Sequence, residues 1–203
     1  MSKFKALDEN FNLVDKRVIV RADLNVPIKN GKIIDASRIK KVAPIIKELI
    51  KKKAKIIIIS HLGRPEGIRN SELSLTPIYK LLKKLLNTNV YFFIGDLNEE
   101  TKNKFEYLKE GEVILLENIR FFKEESENDD NFAKKLASLG DIYINDAFSC
   151  SHREQASIHK ITKYIKESYA GPLLKKEVAA INAIIKNKKE PVTCIIGGSK
   201  IST

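Results

Sequence analysis

The chain has 203 residues, 43% hydrophobic and 31% charged, with nine glycines and six prolines; this is the balance of a folded globular chain and excludes fibrous and disordered classes. The length allows one well-buried domain, or one domain and the start of another. The net charge is +11, from 37 Lys and Arg against 26 Asp and Glu, but 30 of the basic residues are lysines strung over helix backs, as in Lys51-Lys52-Lys53 and Lys83-Lys84, which reads as a solvated surface rather than a nucleic-acid footprint.

The first strand is expected over Arg17–Ala22 (RVIVRA). A helix follows, with Ile39, Val42, Ala43, Ile46, Leu49 and Ile50 on one face; Asp35 or Ser37 would cap it, and Pro44 should kink it or mark its first turn. The second strand is Lys55–Ser60 (KIIIIS). Leu75, Ile78, Tyr79, Leu82, Leu85 and Leu86 then make a helical stripe, with Thr76 and Pro77 as N-cap and first residue. Strands Val90–Ile94 and Glu112–Leu116 precede a helix over Asp130–Leu139 and a strand over Asp141–Asn145. A longer helix runs from Pro172 with Leu174, Val178, Ile181 and Ile185, and a last strand spans Val192–Ile196. The strands are mostly continuous apolar runs rich in β-branched residues, as in a parallel sheet buried on both faces. Their alternation with helices predicts an α/β fold, a three-layer α/β/α arrangement, with ligands bound beyond the carboxyl ends of the strands.

Polar residues gather at those ends. The first strand runs out into Arg21, Asp23 and Asn25; the second into His61, Gly63 and Arg64; the fourth into Glu117, Asn118 and Arg120; the fifth into Asp146, His152 and Arg153. Arg38 falls in the first turn of a helix, where the backbone dipole favours an anion. Five of the seven arginines are therefore at strand ends or a helix start. Each guanidinium offers a planar fork that grips phosphate or carboxylate through two bonds. Singly, each arginine has an ordinary alternative in a carboxylate partner, Asp23 and Asn25 in a turn before Pro27, and Gly63 in a turn. Together, so many cations on one sheet edge repel unless a small, highly charged anion sits among them. No GxxxxGK[ST] loop and no strand-linked GxGxxG is present; GGSK at 197–200 could bring backbone amides and one ammonium to a phosphate.

No apolar stretch reaches the length of a membrane span, and the opening MSKFKALDENF lacks the apolar core of a secretory signal. Cys150 and Cys194 make neither a disulfide framework nor a metal spacing, and His61, His152 and His159 suggest no zinc site. A cytoplasmic protein with no bound metal of its own and no membrane or nucleic-acid partner is expected.

The segments RADLNVP (21–27), SRIK (37–40), SHLGRP (60–65), LLENIRF (115–121), NDAF (145–148), HR (152–153), AGPLL (170–174) and GGSK (197–200), in this order and spacing, resemble the phosphoglycerate kinase family. The resemblance implies a monomer of two Rossmann-like domains facing across a cleft. It implies phosphoryl transfer between 1,3-bisphosphoglycerate and ADP, giving 3-phosphoglycerate and ATP in glycolysis, with Mg²⁺ on the nucleotide. By motif, Asp23 and Asn25 hold the hydroxyl and carboxylate region of the triose. His61, Arg64, Arg120 and Arg153 bind the phosphate that stays, with Arg21 nearby and Leu24, Leu62 and Gly63 completing the substrate site. Arg38 and Lys200 are the expected catalytic pair on the moving phosphoryl group, and Gly198 and Lys200 face the nucleotide. Residues 1–171 form the triose-phosphate domain, 172–190 an interdomain helix and 191–203 the first strand and phosphate loop of an incomplete nucleotide domain. The family is about twice this length, so the chain is expected to bind triose phosphate without turnover. A basic nucleic-acid-binding module and an inactive truncated product are the alternatives. Phe148-Ser149-Cys150-Ser151-His152 stands where the family usually has a small Gly-Thr-Ala step, and Ser157-Ile158-His159-Lys160 where Thr and Gly are usual; the loop around Arg153 is the place where the shape should differ.

Overall fold

In the computed structural model, residues 4–6, 11–186, 193 and 195 are described. The chain runs through β1 (Arg17–Arg21), a hairpin of β2 (Ile28–Lys29) and β3 (Lys32–Ile33), α1 (Ser37–Lys51), β4 (Lys55–Ile59) and α2 (Thr76–Leu85). It continues through β5 (Val90–Phe93), α3 (Glu99–Glu106), β6 (Val113–Leu116), α4 (Lys123–Ser126) and α5 (Asp130–Ser138). β7 (Ile142–Asn145), α6 (Ile161–Tyr164), β8 (Glu167–Ala170) and α7 (Pro172–Lys186) complete it. Six strands form one sheet in the order β5-β6-β4-β1-β7-β8, every pairing parallel.

The continuous apolar strands are explained by what covers them. Successive side chains on a strand point to opposite faces. Val18, Val20, Ile56, Ile58, Val113 and Leu115 pack with Ile39, Val42 and Ile46 of α1 and with Ile78 and Leu82 of α2. Ile19, Ile57, Ile59, Ile114 and Tyr143 pack on the other side with Phe105 of α3 and with Phe132 and Leu136 of α5. All four isoleucines of β4 are fully buried, each contributing about 1.5–3 kcal/mol relative to exposure. The three-layer α/β/α expectation holds. Among the described residues, no helix is long and apolar enough to cross a membrane.

Several local expectations are corrected. Pro44 lies well inside α1, not in its first turn; it is solvent-facing, so the Lys40 carbonyl it leaves without an N–H can be hydrated. Ala36 is the α1 cap residue and has no side-chain cap. Asp35 does the work one residue earlier, accepting from the Ser37 N–H (2.8 Å) and hydroxyl (2.9 Å). Thr76 opens α2, and the cap position is Leu75. The Leu75 N–H donates instead to the carboxylate of Glu117 (2.8 Å), a residue 42 positions later. Most of the predicted strand Val192–Ile196, with Gly198 and Lys200, lies outside the described residues.

The order of strands fixes where a ligand can enter. β1 connects onward to β4 on one side, while β7 connects to β8 on the other. Their loops therefore diverge and open a crevice beyond the carboxyl ends of β1 and β7.

Candidate functional site

The loop after β1 carries Asp23 into that crevice, and the loop after β7 brings Ser149 to meet it. The Ser149 hydroxyl donates to Asp23 Oδ2 at 2.5 Å. The same oxygen is ion-paired with Arg38 from the first turn of α1. Asp23 Oδ1 accepts from the Asn25 N–H (3.1 Å), and Asn25 Oδ1 accepts from the Gly63 N–H (3.1 Å), tying the β1 loop to the β4 loop. Gly63 has φ +61°, and a Cβ there would lie 2.7 Å from the Leu73 side chain; the turn needs glycine.

Arg120 is buried yet keeps its charge oriented: it donates to the Gly63 carbonyl (2.7 Å) and to Gln155 Oε1 (3.3 Å). Its Nε is buried without a partner. Burial and the neighbouring Arg153 charge push its guanidinium below the usual range. Arg64, Arg120 and Arg153, with Ser126, Glu66 and Gln155, line a cavity of about 350 Å³. A second cavity of about 260 Å³ is lined by Asp23, Arg38, Lys41, Asp146, Ser149 and Glu177. His61 is close to both sets: burial first, then the charges of Arg21, Arg120, Arg153 and Arg38, push its ring down to about 2. It is a neutral imidazole at any physiological pH. Three cationic side chains line this one cavity together with two carboxylates, Glu66 and Glu154, and one of the three has an unpartnered buried N–H, an arrangement chemically able to hold an anion.

The structure thus brings together Asp23, Asn25, Arg38, His61, Gly63, Arg64, Arg120 and Arg153. Leu24 and Leu62 are buried in the core, so only their backbone is available to a ligand, and each N–H is already donated, to Ser60 Oγ (3.0 Å) and Asn118 Oδ1 (3.2 Å). Arg21 sits behind the site rather than in it. It is fully buried, with donors committed to Ser157 Oγ (3.0 Å), the Ala22 carbonyl (2.7 Å) and His61 Nδ1 (3.2 Å). The two arginines away from the strand ends pair with carboxylates, Arg17 with Asp141 (2.7 Å) and Arg69 with Asp96 (3.4 Å). Lysines are paired along helix surfaces, as Lys104 with Glu100 and Lys123 with Glu127, in keeping with a dispersed surface charge.

Sequence reasoning named Glu117, Asn118, Asp146 and Ser157 without a role and missed Glu125. Asn118 accepts from the Leu62 and Arg120 N–H groups and donates to the Leu62 and Leu73 carbonyls. Asp146 Oδ1 accepts from the N–H groups of Leu173 (2.7 Å) and Leu174 (3.1 Å), holding the start of α7; burial pushes its carboxyl up to about 6. Glu125 sits in the run KEESEN, which reads as a solvated face, and nothing in its spacing marks it as buried. Among the described residues, Asp23, His61 and Cys150 are close enough to share an ion. Their mixed donor set is not the oxygen set that Mg²⁺ takes, and a dication there would meet the charges of Arg21, Arg38, Arg120 and Arg153.

Comparisons with known proteins agree with this fold. The family model for phosphoglycerate kinase matches residues 8–203. The phosphoglycerate kinase of Wolbachia pipientis wMel is 49% identical over 195 residues, covering 96% of this chain and 48% of the relative. That of Dictyoglomus turgidum is 47% identical over 203 residues, covering 100% and 51%. The solved phosphoglycerate kinase of Coxiella burnetii superposes with TM-score 0.82 at 41% identity, covering 98% of this chain and 49% of that one. The enzyme from Pyrococcus horikoshii OT3 gives 0.79 at 34%, covering 92% and 47%. The chain spans about half the length of the curated relatives it matches. With the family model matching residues 8–203 and solved relatives sharing the fold, the chain belongs to the phosphoglycerate kinase family.

Proposed function

We propose that this chain supplies the triose-phosphate side of a kinase that moves a phosphoryl group reversibly between 1,3-bisphosphoglycerate and ADP, giving 3-phosphoglycerate and ATP in glycolysis. The observation that carries this reading is the placing of Arg64, Arg120 and Arg153 around one cavity beside a second that holds Arg38 and Asp23. Arg64, Arg120 and Arg153 hold the phosphate that stays, with His61 beside them as a neutral N–H donor. Asp23 and Asn25 hold the hydroxyl and carboxylate region, with the backbone of Leu24, Leu62 and Gly63 alongside. Arg38, half-exposed and paired with Asp23, turns to the moving phosphoryl group and neutralises the charge that develops on it. Phosphoryl transfer asks for positioning and charge neutralisation more than covalent help. An acyl phosphate is already an activated donor, so no general base is called for.

Gly198 and Lys200 face the nucleotide from the opposite side, and Mg²⁺ arrives with ADP or ATP as part of the substrate. Residues 1–171 form the triose domain, 172–190 the connecting helix and 191–203 the opening of the nucleotide domain. The connecting role is supported by α7 itself, which has no buried residue and exposes Ile181, Ile184 and Ile185. The protein acts as a cytoplasmic monomer, and these 203 residues alone bind the triose without turnover. Calorimetric titration with 3-phosphoglycerate tests the reading. Binding heat is expected, with affinity reduced about tenfold in Arg64→Ala, the loss of one charge-assisted contact. No heat from this chain, and none from a version extended to the relatives' full length, overturns it.

A further inference from the structure

Four buried groups connect the loops after β1, β4, β6 and β7. Glu125, from α4, is fully buried and accepts at both oxygens, from the Ser157 N–H (2.8 Å) and the Ser157 hydroxyl (2.6 Å). Ser157 Oγ, having donated its one proton, accepts from Arg21 Nε at 3.0 Å. Arg21 then reaches His61 Nδ1 at 3.2 Å. Arginine has no acceptor, so the guanidinium must donate and Nδ1 must be the unprotonated nitrogen; at the other end burial raises the Glu125 carboxyl, and the Arg21 charge and the Ser157 hydrogen bonds oppose that rise. The single ring proton is left on Nε2.

We propose that Glu125, acting through Ser157 and Arg21, is a positioning residue that locks His61 as the neutral Nε2–H tautomer, so that the phosphate site keeps a fixed neutral donor among its arginines. The rest of the surroundings is consistent with this lock. Asp23 and Cys150 flank the ring, with Cys150 Sγ 3.9 and 4.0 Å from the two nitrogens. The cations Arg21, Arg38, Arg120 and Arg153 all act against a second ring proton. Glu125 balances the buried Arg21 charge, which would otherwise be costly at the end of a central strand. A direct Glu125–Arg21 pair would leave Ser157 out; the interposed hydroxyl aims Nε at Ser157 and frees the other guanidinium nitrogens for Ala22 and His61. Loop closure is part of the same device, because the Ala156 N–H donates to the Glu125 carbonyl (3.0 Å) and the Tyr143 hydroxyl to the Ser157 carbonyl (2.8 Å).

This inference deepens the triose-phosphate reading and rests on it only for what the lock is for. The test is long-range ¹H–¹⁵N NMR of the 203-residue chain labelled at histidine, with His61 assigned by its loss in His61→Gln. In the parent chain the His61 ring is expected as one Nε2–H tautomer that does not titrate between pH 8 and 5. In Ser157→Ala, Arg21 loses its anchor; the ring shifts should then move toward a mixture of tautomers. Ser157→Thr, which restores the hydroxyl, should return the parent spectrum. Glu125→Gln should behave as Ser157→Ala, since an amide cannot accept at both positions. If Glu125→Gln does not fold, the Ser157 pair decides. A parent ring that titrates near 6.5, or a folded Ser157→Ala chain with the parent ring spectrum, overturns the proposal. The tautomer is read without ligand, so its outcome is separate from titration of the same samples with 3-phosphoglycerate, whose failure would overturn the functional reading alone.

Discussion

Asn118 shows how a single side chain can hold a site it does not line. It is fully buried and uses both ends of its amide, accepting from two backbone N–H groups and donating to two carbonyls across the loops after β4 and β6. Those loops carry His61, Arg64 and Arg120, so the amide sets the spacing of half the cationic groups. Asn118→Ala would strand buried donors and acceptors, each costing about 1–3 kcal/mol. A loss of at least about 3 kcal/mol in urea-denaturation stability is expected, and a change below about 1 kcal/mol would refute the role. Asn118→Asp is a second check. It keeps the shape and the acceptor but removes the donors to Leu62 and Leu73, so it should destabilise by a comparable amount. Arg64 contrasts with it: it is exposed and lines the cavity, so its removal should alter ligand affinity and leave stability nearly unchanged.

At the scale of elements, α1 carries a visible compromise. It positions Arg38 in its first turn and buries Ile39, Val42, Ile46 and Leu49 against the sheet, yet has Pro44 in its interior. An interior proline removes one hydrogen bond and crowds the preceding turn, at about 3 kcal/mol, offset in part by about 0.4–1 kcal/mol from a stiffer unfolded chain. Pro44 is exposed, so Pro44→Ala adds the missing N–H without disturbing the core. It should raise stability by about 1–2 kcal/mol in urea titrations; a drop would mean that the proline shapes the helix in a way the core requires. The elements legible in the sequence were those with a strong apolar signal: β1, β4, β5, β6 and β7, and the helices α1, α2, α5 and α7. β8 was not anticipated, because ESYA is an edge strand with half-buried residues and no apolar run. α3 was missed for the same reason, with only Thr101 and Phe105 buried in eight residues. The hairpin β2–β3 did carry a signal, Asn30-Gly31 between matched apolar-basic pairs, with both residues at positive φ. The arginines of the site were readable because strand ends and arginine forks each have a physical meaning in sequence. Glu125, Ser157 and Glu117 were not, because their roles exist only once four separate loops have been brought to one edge of a sheet.

Across the whole molecule, two buried groups on separate loops should give acid stability an unusual shape. The His61 ring is held at about 2 against an ordinary 6.5. Between those values the unfolded chain binds the extra proton, so His61 contributes stability above pH 6.5 that is lost as pH falls. Asp146 is raised to about 6 from 3.8. Between these values the folded chain binds the extra proton, so Asp146 contributes stability that is full below pH 3.8 and lost as pH rises through 6. Each slope approaches about 1.4 kcal/mol per pH unit inside its window, and the two oppose each other from pH 3.8 to 6. Urea midpoints at pH 7, 5.5 and 4.5 separate them when each variant is compared with the parent at the same pH, which cancels the carboxylates common to all. Relative to the parent, Asp146→Asn should lose stability progressively on going from pH 6 to 4.5, because only the His61 slope is left. His61→Gln, whose amide oxygen can still accept from Arg21, should gain it over the same interval. Parallel pH profiles for parent and variants would show that these groups are not titrating as their surroundings require. His61 lies within reach of the charges of Arg120, Arg153 and Arg38, whereas Asp146 holds the start of α7. A ligand that neutralises the arginines leaves burial, the larger cause of the His61 shift, in place, so the ring should stay neutral and the His61 slope should persist in urea titrations of the bound chain.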